Sequence, residues 1–197
     1  MIGIILAAGR GIRLRKATSI PKSLCEINGE TILERQIRML HRYGIQEIYI
    51  VVGYKSYLIK NFVRERGLNL TFIDNNEWDQ SDNLYSLYLA LQATDGEFVL
   101  LNADIVFDGR MLGKVLKCSG YDFCIVGKRE FRMGKITVKG RTILLAILNG
   151  IQNWEMANMK FILKILNVHY ITARYFCDDI DYPEDLVKIY GRFKKEN

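Results

Sequence analysis

Proline is almost missing from this chain. It accounts for two of 197 residues, and no Ser/Gly/Pro tract occurs, so composition offers no linker at which to divide the chain. One folding unit over residues 1–197 is the expectation. Histidine is as scarce, at two, and the four cysteines (Cys25, Cys118, Cys124, Cys177) contain no CxxC spacing. A zinc site therefore has little support, and structural thiols are expected. Apolar runs such as Ile143 to Leu148 stop far short of the roughly 18 residues of a membrane span. The opening Met-Ile-Gly-Ile-Ile-Leu-Ala-Ala-Gly has no leading basic stretch and no cleavage-like site, which points to the cytosol and away from a membrane. What is present, 49% hydrophobic and 25% charged residues, is the balance of a globular domain able to bury one core.

Lys and Arg number 28 against 22 Asp and Glu, a net charge of +6, which suits nucleic acid, an anionic surface or a polyanionic small molecule. Distribution separates these. Five cations (Arg10, Arg13, Arg15, Lys16, Lys22) and no anion lie between Gly9 and Lys22, whereas the second half mixes signs and holds Cys-Asp-Asp-Ile-Asp at 177–181. Nucleic-acid binders spread their cations along a surface with interleaved aromatics, so five cations in one glycine-bearing loop favour a polyphosphate cradle. A solvated basic loop remains open on charge alone.

Hydrophobic periodicity predicts a strand at 2–6, a helix from Thr31 with Thr31-x-x-Glu34 as its capping box, a strand at 48–52, a helix at 55–66 ending at Gly67, and a strand at 70–73. A helix carrying Leu84, Leu87, Tyr88 and Leu91 follows, then a strand at 98–101 that runs into Asn102-Ala103-Asp104. Short apolar strands alternating with amphipathic helices imply an α/β fold with a Rossmann-like, mostly parallel mixed sheet flanked by helices. Ligands of such sheets bind beyond the carboxyl ends of the strands, so the loop after the first strand and Asp104 should share a face. The second half predicts a strand at 123–126, a small β-hairpin (135–138 and 142–148, turning at Lys139-Gly140-Arg141), a helix at 154–166, a strand near 168–176 and a last helix opened by Pro183.

The loop after the first strand reads Leu6-Ala7-Ala8-Gly9-Arg10-Gly11-Ile12-Arg13-Leu14. A dinucleotide turn needs a third glycine where Leu14 stands, and a Walker loop needs Gly-Lys-Ser/Thr opening a helix, which Pro21-Lys22-Ser23 does not supply. The stretch LAAGRGIRLRKATSIPKSL instead resembles the L-A-A-G-x-G-x-R-x(n)-P-K signature of the nucleotidyltransferase superfamily, which includes the sugar-phosphate pyrophosphorylases. Ile32-Leu-Glu-Arg-Gln-Ile, Val51-Val-Gly-Tyr, Asp82-Asn-Leu-Tyr-Ser-Leu-Tyr-Leu-Ala, Asn102-Ala-Asp and Ile180-Asp-Tyr-Pro-Glu-Asp-Leu follow in the order of its phosphocholine cytidylyltransferase-like branch. The resemblance thus covers nearly the whole chain and implies the nucleotide-diphospho-sugar transferase type of sheet, with the hairpin and helix as an acceptor insertion.

The resemblance implies magnesium-dependent transfer of a nucleotidyl group, CTP favoured, to a small anionic acceptor. The attacking oxygen is already anionic and needs no general base, so the demand is for charges that join two anions and neutralise the leaving pyrophosphate. Lys22 and Arg13 would be the catalytic cations. Leu6, Ala7, Ala8, Gly9, Arg10, Gly11, Gly53 and Asn102 would hold the nucleotide, and Gln80, Asn83 and Ser86 would offer amides and hydroxyls to its base. Asp104 and Asp181 would hold magnesium, with Asp179 as a substitute for Asp181. On the residues alone other roles stay open: Asp181 as a cap of the last helix, Asp104 as a turn residue, and Asp82 or Asn83 as a helix cap. Relatives of this branch often carry asparagine at position 82, so Asp82 is a departure.

A second departure concerns the acceptor. The Asp-x-Met-Lys-Val type of stretch appears as Arg132-Met133-Gly134-Lys135-Ile136, without the acid, and the segment around it is short, which favours a small acceptor. For an ammonium-bearing acceptor such as phosphocholine or an aminoalkyl phosphonate, Trp154 and Tyr170 or Tyr175 would form an aromatic cage aided by Asp178 or Asp179. Aromatics filling the seam beside the sheet are the competing reading. A sugar-1-phosphate or inositol-phosphate transferase and a non-catalytic nucleotide-binding module are the alternatives in function.

Overall fold

The computed structural model describes residues 1–11, 19–126, 132–152, 154, 159, 166, 168–171, 177–182, 184–185 and 187–189. Arg13, Tyr175, most of the helix expected at 154–166 and the strand residues 172–176 lie outside them.

The first half follows the expected alternation. Strand β1 (Ile2–Ala7) leads through a 3-10 turn (Lys22–Leu24) and a two-strand ribbon, β2 (Glu26–Ile27) and β3 (Glu30–Thr31), into α1 (Ile32–Arg42). Then come β4 (Ile48–Val52), α2 (Ser56–Glu65), β5 (Thr71–Asp74), α3 (Asn83–Ala93) and β6 (Phe98–Asn102). Helix α1 starts where the capping box put it: the Thr31 side chain accepts from Glu34 N, and the Glu34 carboxylate accepts from Thr31 N. Beyond β6 lie β7 (Ile105–Phe107), α4 (Gly109–Lys117), β8 (Phe123–Val126), β9 (Met133–Ile136), α5 (Val138–Leu148), β10 (His169–Ile171) and β11 (Cys177–Asp179).

Seven strands form one sheet in the order β10-β8-β9-β6-β1-β4-β5, in which β9 runs antiparallel to both its neighbours and the other pairings are parallel. Strand β1 is buried along its whole length because helices cover both faces. Its alternate residues divide between two cores: Ile5 and Ala7 pack with Leu33, Leu40, Ile59 and Met111 from α1, α2 and α4, and Ile4 and Leu6 pack with Leu84, Leu87 and Leu144 from α3 and α5. The chain turns to opposite sides of β1 to reach β4 and β6. That switch leaves a crevice beyond the carboxyl ends of β1 and β6.

The expected hairpin is not present. Residues 133–136 are a strand, but 138–148 are a helix, with Thr137 as the cap that accepts from Gly140 N. A short apolar run fits a buried helix as well as a strand, and Gly140, which reads as a turn residue in the sequence, lies in the first turn of α5. A Cβ at Gly140 would lie 2.5 Å from the Asp122 carbonyl oxygen, so the glycine permits close packing of helix on strand. Arg141, also placed in the turn, is buried and donates to the Leu91 and Thr94 carbonyls at the end of α3, a helix with no basic residue of its own in its last turn. The thiol expectation is corrected in part: Cys118 and Cys124 form a disulfide, while Cys25 and Cys177 are free and buried. Among the described residues no helix is long and apolar enough to cross a membrane.

Candidate active site

A cleft of about 520 Å³ occupies the crevice. Its first wall is the loop after β1. The chain leaves the sheet at Ala7, and the loop is held on both sides: Ala103 N donates to the Leu6 carbonyl (3.0 Å) and Tyr54 N donates to the Ala8 carbonyl (2.9 Å). A side chain at Gly9 would meet open space, so its absence leaves room for a ligand against the backbone. Gly11 has φ +59°, and a Cβ there would come within 3.0 Å of the Lys22 stem. The glycine thus supplies the left-handed turn and lets Lys22 pass.

Lys22 carries the site's charge to the second wall. Its Nζ donates to Asp104 Oδ2 at 3.1 Å and to Asp181 Oδ1 at 2.7 Å, with side-chain exposures of 14% for the lysine and 27% and 22% for the acids. Burial alone would lower the Lys22 ammonium, but the two carboxylates together outweigh it and hold the group above its ordinary value. Burial pushes the Asp104 carboxyl above the usual range, helped by Asp181 and Asp179 and opposed by Lys22.

Each acid is placed by backbone. Asp104 lies in the turn between β6 and β7, where buried Gln36 of α1 donates through Nε2 to the carbonyls of Asn102 and Ile105, both at 2.9 Å. Asp181 follows β11, which pairs antiparallel with β7, and Ile180 N donates to the Asp104 carbonyl (2.9 Å). Asp185 accepts from the backbone N–H groups of Asp181 and Tyr182, serving the helix start while the Asp181 carboxylate meets Lys22. Asp179 takes another course: its carboxylate pairs with Arg132 Nη2 at 3.0 Å.

A third wall is the loop between β5 and α3. Asn75 is buried; its Nδ2 donates to Ser86 Oγ (3.0 Å) and Ser81 Oγ (3.3 Å), and its Oδ1 accepts from Glu77 N (2.9 Å). Asp82 caps α3 by accepting from Asn83 N. Asn83 and Ser86 line the cleft.

Of the expected site residues, Leu6, Ala7, Ala8, Gly9, Arg10, Gly11, Lys22, Asn83, Ser86, Asn102, Asp104 and Asp181 line this one cleft. Gln80 is exposed and outside the lining. Gly53 sits behind the loop, where a Cβ would lie 2.5 Å from Trp78 Cβ and 2.9 Å from the Ala8 carbonyl oxygen, so it supports the first wall from the rear. Trp154 packs edge-on against Tyr85 and tilted against Tyr88, ring centroids 5.0 Å away in each case, whereas Tyr170 is exposed on β10, in register with Ile125 of β8. Sequence reasoning missed Gln36 and, although the loop 75–83 resembles a base-reading segment, gave no role to the side chains of Asn75 and Trp78. An asparagine directly after β5 and a glutamine on the apolar face of α1 were the available signals.

Two carboxylates already converge on a cation, the Lys22 ammonium. Among the described residues no group of three or more His, Cys, Asp or Glu could hold a metal. That donor set is poor for zinc and suits magnesium, which takes one or two carboxylates and completes its shell with water and substrate phosphates.

The family profile described as a MobA-like NTP transferase domain matches residues 3–164. The chain belongs to that family of nucleotidyltransferases. This nucleotidyltransferase is 27% identical over 186 residues to the choline-phosphate cytidylyltransferase of Streptococcus pneumoniae, covering 89% of this chain and 79% of that protein. It is 32% identical over 105 residues to the 2-aminoethylphosphonate cytidylyltransferase of Lancefieldella rimae, covering 52% of this chain and 42% of that protein. Its fold matches the inositol-1-phosphate CTP transferase from T. maritima with a TM-score of 0.76, at 19% identity and over 98% of this chain and 94% of that one.

Proposed function

We propose that this nucleotidyltransferase is a magnesium-dependent cytidylyltransferase of the cytosol, moving CMP from CTP to a small phosphorylated alcohol or phosphonate. The carrying observation is the Lys22 ammonium gripped by Asp104 and Asp181 across from a glycine loop with open space at Gly9. The cytidylyltransferase relatives support the choice of CTP.

In this reading an anionic oxygen of the acceptor forms a bond to the α-phosphorus, the bond from that phosphorus to the β-phosphate bridge breaks, and pyrophosphate leaves with the electron pair. Backbone N–H groups of residues 8–11 hold the triphosphate, and Arg13 meets its outer end. Asp104 and Asp181 would hold magnesium, which would supply neutralisation of phosphate charge. Lys22 then turns from the carboxylates to the α-phosphate and the incoming anion, lowering the cost of bringing them together. Ser86, which accepts from Asn75, and Asn83 face the base.

An inositol phosphate is the second reading for the acceptor. The pairing of Asp179 with Arg132 and the packing of Trp154 on Tyr85 and Tyr88 take up two groups that an ammonium cage would use. Pyrophosphate release is the test, measured with magnesium, each of the four nucleoside triphosphates, and phosphocholine, 2-aminoethylphosphonate, inositol 1-phosphate or sugar 1-phosphates. A CTP-selective signal with one of the first three is expected. Triphosphate binding without turnover on any acceptor would make the chain a non-catalytic nucleotide-binding module, and no binding at all would refute the role of the loop.

A further inference from the structure

Arg132 stands where the family resemblance leads one to expect an aspartate, and its contacts give it a different task. Its backbone is fixed at the cleft end of the sheet: Arg132 N donates to the Val126 carbonyl (3.2 Å), and its own carbonyl accepts from Asn102 N (3.1 Å), at the end of β6. From there the half-buried guanidinium reaches three consecutive residues of β11. Nη1 donates to the Cys177 carbonyl and faces Asp178 Oδ1 at 3.4 Å, and Nη2 pairs with Asp179 Oδ1 at 3.0 Å.

Strand β11 needs such an attachment. It lies outside the seven-stranded sheet and is joined to β7 over three residue pairs, a ladder too short to be stable by itself. Two residues beyond it comes Asp181, whose partner Asp104 is carried by the turn from β6. A planar fork that spans several acceptors fixes orientation as well as distance, which a point charge does not.

The geometry points to Arg132 as a positioning residue that ties β11 to the end of β6 and so sets the placement of Asp181 relative to Asp104 for a divalent ion. This rests on the reading of those aspartates as the magnesium holders. Outer residues that orient metal-binding carboxylates typically contribute about 10- to 100-fold in metal affinity.

The test is Mn²⁺ binding to the full chain with CTP and no acceptor, followed by water proton relaxation, which separates ion in the protein complex from ion on free nucleotide. Wild type, Asp181→Asn, Arg132→Ala and Arg132→Lys are compared, with circular dichroism as the folding control. Arg132→Ala is expected to weaken Mn²⁺ by about 10- to 100-fold, with Arg132→Lys between it and wild type. In turnover, the half-saturating magnesium concentration should rise while the KM for CTP holds, and excess magnesium should restore kcat. Should Arg132→Ala not fold, Arg132→Lys decides alone, through a several-fold weakening. Wild-type affinity in Arg132→Lys or Arg132→Ala, with Asp181→Asn impaired, overturns the proposal. Wild-type affinity in Asp181→Asn, or no protein-bound ion at all, overturns the magnesium reading and the proposal with it.

Discussion

The two sides of the cleft are built by opposite means. The described start of the loop after β1, residues 8–11, presents mainly backbone, shaped by what is left out at Gly9 and Gly11 and backed by Gly53 from the end of β4. The acidic wall is made of side chains: Lys22 meets Asp104 across 82 positions of sequence and Asp181 across 159. Backbone donors need only a local bend to be aimed at phosphate, and they cost nothing to discharge. A cation between two carboxylates must be assembled from distant segments, and until a substrate arrives each charge has to be satisfied by the others. This contrast teaches where each side is vulnerable, by added volume on one and by lost charge on the other.

The largest effect should come from the charged wall. Lys22→Ala is expected to lower turnover by about 100- to 1,000-fold, as for loss of one preorganised charge at a transition state, with the far-UV spectrum retained. Undiminished pyrophosphate release would remove Lys22 from the mechanism.

The backbone wall should break sterically. Gly53→Ala places a methyl group against Trp78 and the Ala8 carbonyl, and overpacking of this kind costs about 1–3 kcal/mol. Denaturant unfolding reads the loss directly. Midpoints equal to wild type would show that Trp78 yields and that the rear of the loop is soft.

A smaller change tests the sign of the charge balance. The folded Asp104 carboxyl lies above its unfolded value, so the folded state holds the extra proton and stability falls as pH rises through that interval. Asp104→Asn removes the penalty and should melt higher than wild type at pH 7 without ligand, with the gap closing in acid, while pyrophosphate release is lost. A lower melting temperature at pH 7 would mean that the ion pair with Lys22 outweighs the burial of the carboxylate.

The last prediction sharpens the comparison without touching activity. Cys177, at the start of the strand leading to Asp181, is buried, and burial pushes its thiol up to about 12, partly offset by Arg132; Cys25 is raised in the same way. Neither should react with an aromatic disulfide reagent at neutral pH in the native protein. Two thiols should appear on unfolding and four after reduction, given the Cys118–Cys124 bond. Reaction of Cys177 in the folded protein would show that β11 opens, which the attachment by Arg132 argues against.

Legibility in the sequence followed the same division. Strand β4 and helix α1 could be read closely because a buried parallel strand and an amphipathic helix with a capping box each have a local signature. The helix at 138–148 could not, because a mostly apolar run beside a glycine reads alike as strand or buried helix until Asp122 is packed against Gly140. The resemblance places Gln80 and Gly53 at the nucleotide, whereas the folded chain turns one to solvent and sets the other behind the loop. Asn75 and Gln36 drew little notice because a polar residue's importance lies in what it meets when buried.

By itself the sequence determined the alternation of strands and helices, the glycine loop at the end of β1 and the types of charge available, since these follow from periodicity and from residues near one another. The tertiary structure alone decided that Asp181 reaches Lys22 while Asp179 pairs with Arg132, and that Trp154 packs against Tyr85 and Tyr88. Asp179 ends β11 and Asp181 lies two residues beyond it, so strand alternation does not separate them; which of the two meets Lys22 is set by where β11 ends against β7, a contact between segments about 70 residues apart that no local pattern encodes.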